Sequence, residues 1–107
     1  MPRYLISVSY TPEAWAALVK NPQNRRDAVR PIVEALGGKL ESFYFAFGAE
    51  DVIVVVDLPD NVSAAALSIA VAAGGALRSQ ATTVLMTPEE AVEAMRKAQK
   101  VAYRPPA

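Results

Sequence analysis

The chain has 107 residues, 52% of them hydrophobic and 21% charged, which fits one domain able to bury roughly two-thirds of its unfolded surface. Eleven Lys and Arg balance eleven Asp and Glu, so no net charge draws the chain to nucleic acid or to an anionic membrane. It contains no Cys and no His, which removes disulfides, thiolate nucleophiles, His-dependent triads and the commonest metal ligands.

Arg3 to Tyr10 alternates, with Tyr4, Ile6, Val8 and Tyr10 on one face and Leu5, Ser7 and Ser9 on the other. That period of two predicts a strand. Thr11-Pro12-Glu13 then supplies an N-cap, a Pro at the first helical position and an early acid. Trp15, Leu18 and Val19 follow at helical spacing, Asn21-Pro22 interrupts, and Asn24 caps a continuation. Val29, Ile32, Val33 and Leu36 carry the apolar stripe onward. Pro31 predicts a kink near residues 27 to 31, and Gly37-Gly38 ends the helix.

Lys39 to Phe47 reads as a second strand, with Phe43, Phe45 and Phe47 on one face and Leu40, Ser42, Tyr44 and Ala46 on the other. Gly48 to Asp51 makes a turn, and Val52 to Leu58 is a third strand close enough to form a hairpin with the second. Pro59 stops the pairing, and Asp60 or Asn61 caps an Ala-rich helix from Val62 to Ala73. This helix is apolar nearly all round, which predicts burial on more than one side. Gly74-Gly75 ends it. Leu77 to Met86 is a fourth strand, with Arg78, Gln80 and Thr82 on one face and Leu77, Ser79, Ala81 and Thr83 on the other. Thr87 to Glu90 is a capping box opening a last helix to about Val101, before a frayed tail over 102–107.

The order β-α-β-β-α-β plus one helix predicts one α+β domain over 1–107 with a ferredoxin-like fold. It has a four-stranded antiparallel sheet with two helices on one face. "YLISVSYTPE", "NPQNRRDAV", "EALGGKLESFYFAFGAEDVIVVVDLPD" and "AGGALRSQATTVLMTPEE" together resemble the GYD family of small bacterial and archaeal proteins, over roughly residues 3 to 95. The family is named for a Gly-x-Tyr-Asp turn, which here is Gly48-Ala49-Glu50-Asp51, with Glu50 in place of the Tyr. The resemblance implies a fold of the dimeric α+β barrel type and no particular activity.

The third strand is apolar on both faces: Val52, Val54 and Val56 on one, Ile53 and Val55 on the other. Helices cover one face of such a sheet. Left wet, the other face would expose a contiguous apolar patch, so it predicts a homodimer or higher homo-oligomer joined through the helix-free face. "MPRYLISVSY" is too short and too alternating for a signal core, and the uncharged stretch from Asn61 to Leu77 is too weakly apolar for a membrane span. A cytoplasmic location is expected.

Asp51 and Glu50 are neighbours in a turn, where adjacent side chains diverge, so they are not an obvious acid/base pair. Asp51 either bonds turn amides or positions a polar ligand at a cleft mouth. Tyr4, Tyr10, Trp15 and Tyr44 are polar-tipped aromatics that either fill the core or touch a ligand, with Tyr10, Trp15 and the Phe strand placed to line a pocket between the sheet and the kinked first helix. Arg78, Gln80 and Thr82 either bond across an interface or form a pocket's polar end, with Arg78 anchoring a carboxylate or phosphate. Arg25, Arg26 and Arg30 read as a solvated face. The acids are scattered, so no metal site and no cofactor are expected.

Two functions compete. One is a small-molecule-binding or accessory protein without catalysis; the other is a cofactor-independent monooxygenase, isomerase or dehydratase acting on a small organic substrate. The RNA-recognition module shares this topology, but it stacks bases on third-strand aromatics. "DVIVVVDL" offers no aromatic and no basic residue.

Overall fold

A computed structural model describes residues 1–107. Eight elements follow in order: β1 (Arg3–Tyr10), α1 (Pro12–Lys20), α2 (Arg25–Ala35), β2 (Lys39–Phe45), β3 (Val52–Asp57), α3 (Asn61–Ala73), β4 (Leu77–Leu85) and α4 (Pro88–Ala98). The sheet has the order β2-β3-β1-β4, and every neighbouring pair is antiparallel. This is the ferredoxin-like α+β arrangement.

Pleat and register explain the core. Tyr4, Ile6 and Val8 of β1 stand opposite Val56, Val54 and Val52 of β3, and all six are buried. Directly opposed residues share a face, so these six form one apolar row under the helices. Val33 of α2, Ala64 and Leu67 of α3, Leu40 and Leu58 complete the buried cluster. Burying a Val or Leu side chain is worth about 1.5–3 kcal/mol over leaving it exposed. That row is therefore what holds helices to sheet.

Two bulges move residues between faces. In β2, Leu40 pairs with Val56 but Ser42 pairs with Val55, leaving Glu41 as an extra residue. Leu40 therefore joins Phe43 and Phe45 on the helix side, not Ser42 and Tyr44 as strict alternation predicts. In β4, Ser79 pairs with Ser9 but Leu77 pairs with Tyr10, so Arg78 is the extra residue. Leu77 accordingly moves to the face of Gln80 and Thr82, and Arg78 leaves it. A bulge breaks the period of two once and flips everything beyond it. Phe47 lies past the end of β2 and is fully exposed, so the expected row of three Phe contains two.

The first helical segment is two helices separated by residues 21–24, with the Thr11 hydroxyl and the Asn24 side chain as N-caps. The second continues through Pro31 to Ala35. Its end is a Schellman motif: the Gly38 amide donates to the Val33 carbonyl at 3.0 Å and the Gly37 amide to that of Glu34 at 2.9 Å. Gly37 takes φ +79°, a left-handed conformation that costs glycine least. Asp60, not Asn61, caps α3, accepting the Ser63 amide at 2.8 Å.

The expectation that α3 is buried on several sides is not met within one chain. Ala64 and Leu67 are buried, while Val62 and Ile69 face outward. The last helix ends at Ala98 rather than near Val101. It opens with the expected capping box between Thr87 and Glu90, yet none of its residues is buried and Val92 and Met95 are exposed. The Cα radius of gyration, 17.2 Å, exceeds the ~13 Å of a compact domain of this length. The molecule measures 57 × 35 × 22 Å, as expected when a terminal helix stands away from the sheet. No helix is long and apolar enough to cross a membrane.

Candidate functional site

The stripes of α2 and α3 do not close fully over the sheet. A cavity of about 300 Å³ remains between them, floored by Ile6, Val8, Val52 and Val54 and walled by Val29, Ile32, Leu67 and Val71. Phe43 and Leu77 also line it. Its polar members are Tyr10, Arg25, Ser68 and Gln80, and no carboxylate reaches it.

Arg25 belongs to this set for a reason visible in the helix repeat. Residues 25, 28/29 and 32 fall on one stripe of a 3.6-residue helix, so Arg25 extends the apolar row of Ala28, Val29 and Ile32 by one turn. Its Nη1 donates to Gln23 Oε1 at 2.7 Å. The chain's ion pairs engage Arg3, Arg30 and Lys39 but not Arg25. Gln80, opposite Val8 in the β1–β4 register, carries a buried Oε1 with no hydrogen-bond partner. Ser68 is already engaged, its hydroxyl 3.0 Å from that of Thr82.

Burial pushes the Tyr10 hydroxyl above its ordinary pKa of 10.0; the charge of Arg25 and its hydrogen bonding to the phenol oppose this, and the Asp51 charge adds to it. Tyr10 therefore stays protonated at neutral pH, a donor and not a base. Arg25 brings the only guanidinium to the cavity. The cavity thus offers hydrogen-bond donors, an unpaired acceptor and apolar walls, and no group of its own that removes a proton at neutral pH.

The residues singled out from the sequence scatter. Tyr10 lines the cavity. Trp15 lies outside it and meets Tyr10 edge-on, with ring centroids 5.3 Å apart, while Phe45 packs 6.1 Å from Trp15. Tyr44 pairs with Ile53 on the helix-free face and is exposed. Arg78 is exposed at its bulge. Thr82 touches the site only through Ser68. Gly48 sits in an open turn where an added Cβ would meet nothing.

The two turn acids are both spent on the end of β1. The Ser9 hydroxyl donates to Glu50 Oε2 at 3.1 Å, and the Tyr10 amide donates to Asp51 Oδ2 at 2.9 Å. Ser9 is itself buried, so Glu50 satisfies a polar atom that would otherwise be stranded. No three acidic side chains converge in a way that could hold a metal ion.

No curated protein matches the chain. Among solved structures, the crystal structure of MtbAldR is similar with a TM-score of 0.53 and 19% identity, over 80% of this chain and 52% of that one. The chain thus spans about half the length of MtbAldR, and the likeness concerns the fold alone. The GYD domain matches residues 4–95, taking in all of the sheet but Arg3, the cavity and the Gly48–Asp51 turn, and the chain belongs to the GYD domain family.

Proposed function

We propose that this protein is a small-molecule-binding or accessory protein without catalysis of its own, working as a homo-oligomer. The observation that carries the reading is the cavity between α2, α3 and the sheet, with apolar walls and a few convergent polar groups. The absence of a carboxylate there and the raised pKa of Tyr10 favour binding over proton transfer. An enzyme of the cofactor-independent kind needs a base beside its substrate, and the two turn acids are committed to Ser9 and Tyr10.

Assembly is argued from the opposite face of the sheet. Leu5, Ile53 and Val55 are half-exposed at its centre among Ser7 and Ser42. One end is rimmed by Arg3, Asp57, Glu41 and Lys39, which pair with one another. An apolar centre with a charged rim suits a second copy related by a two-fold axis.

Binding is tested by titrating methyl-labelled protein with 3-methylindole, a neutral apolar probe. Shifts at the methyl groups of Ile6, Val54, Leu67 and Val71 are expected, and Leu67→Phe should abolish them by filling the space. A methyl spectrum unmoved at saturating probe overturns the reading. Assembly is tested by sedimentation velocity at micromolar protein, where a monomer would count against it.

A further inference from the structure

We infer that the ligand of this cavity is a small carboxylic acid with an apolar body and one N–H or O–H donor. The inference rests on reading the cavity as a binding site and adds the chemistry of what enters it. Arg25 is the cavity's sole charged group and has no acidic partner in the chain. A guanidinium fork matches one carboxylate with two parallel hydrogen bonds. A phosphate would call for more donors than one Arg and the Tyr10 hydroxyl supply, and no glycine-rich cradle accompanies them.

Gln80 supplies the second element of recognition. Its buried Oε1 lacks a donor, and an unmet buried acceptor carries its full desolvation cost until a partner arrives. Ser68 does not fill that role, since no hydrogen bond joins it to Gln80 Oε1. A donor on the ligand would. The remaining lining is apolar and dominated by Val, Ile, Leu and Phe, which selects a compact hydrocarbon or aromatic body between the two polar ends. A space of 300 Å³ holds about ten to fifteen non-hydrogen atoms, taking ~30 Å³ per water as the loosest filling.

Three probes of similar size separate these features by calorimetry. Indole-3-acetate has the carboxylate and the N–H, 1-naphthaleneacetate lacks the N–H, and 3-methylindole lacks the carboxylate. Indole-3-acetate should bind at least about tenfold tighter than either of the others, which is the scale of one added hydrogen-bonding group. Arg25→Gln should remove the advantage over 3-methylindole. Gln80→Leu should remove the advantage over 1-naphthaleneacetate. Equal affinities for all three probes, or a preference that survives Arg25→Gln, would overturn the inference and leave the cavity as a plain apolar site. If no probe binds, the binding reading falls, and this inference with it.

Discussion

Asp51 Oδ2 accepts the amide of Tyr10 at 2.9 Å, while the Asp51 amide donates to the carbonyl of Val8 at the same distance. One residue thus continues the β1–β3 ladder past its last backbone pair, Val8 with Val52, first with its main chain and then with its side chain. It fixes the position of Tyr10, and with it the tyrosine that lines the cavity. Asp51→Ala should cost about 1–3 kcal/mol by stranding that amide. Asp51→Asn, which keeps an acceptor, should cost less. Urea denaturation of both variants checks the order, and equal losses would show that charge, not acceptance, matters at this site.

Gly38 is the most crowded glycine of the chain. A Cβ there would collide with the Asp57 carbonyl oxygen and lie 2.6 Å from Leu58 Cδ2. Leu58 is fully buried, and backbone cannot step aside cheaply. Gly38→Ala should lose about 1–3 kcal/mol or more through overpacking. Gly48→Ala, placed in open space, should be close to neutral. A differential melting experiment on the pair gives the comparison directly.

Three carboxyls are held below their ordinary range. Asp57 is lowered first by its hydrogen bond from Arg3, against desolvation, and Asp60 and Glu90 by backbone hydrogen bonds at Ser63 and Thr87. Each stays charged in the folded chain where its unfolded counterpart takes up a proton. Their stabilisation is therefore full above the ordinary values of 3.8 for Asp and 4.5 for Glu, and it is lost as pH falls through the depressed ones. Tyr10 acts at the other end. Its raised value keeps the folded state protonated above 10.0, so stability falls as pH rises from there. Urea midpoints measured across pH should form a plateau with both shoulders. Asp57→Asn should soften the acidic one and Tyr10→Phe the basic one.

Val55 stands at the centre of the helix-free face, opposite Leu5 on one side and Ser42 on the other. Val55→Lys places a charge where a second copy would press. It should convert an oligomer to monomer in sedimentation while leaving the core row on the other side of the sheet intact. Far-ultraviolet circular dichroism separates dissociation from unfolding.

The fold was legible because most of its signals are local. Thr11, Asn24 and Thr87 announce helix starts by capping chemistry, and Gly37-Gly38 announces a stop. Register was legible only up to the bulges. An extra residue at position 41 or 78 leaves no mark in an alternating pattern, because Glu and Arg suit an exposed strand position on either reading. That is why Leu40 and Leu77 change sides and why Arg78 points away from a site it was expected to anchor. Arg25 was readable in principle, since it continues the Ala28–Ile32 stripe. Its two basic neighbours made a solvated face the simpler reading. The unpaired Gln80 oxygen depends on where α3 crosses β4, a long-range relation that no short window contains.

Both bulges occur on the outermost strands, β2 and β4, and each presents a charged residue, Glu41 on one edge and Arg78 on the other. The rims of an open sheet carry unpaired amides and carbonyls that invite further strands to add. A kink bearing an ion at each rim interrupts that template. Growth by edge addition is thereby discouraged on both sides, which leaves the broad helix-free face as the surface on which the homo-oligomer proposed above would close.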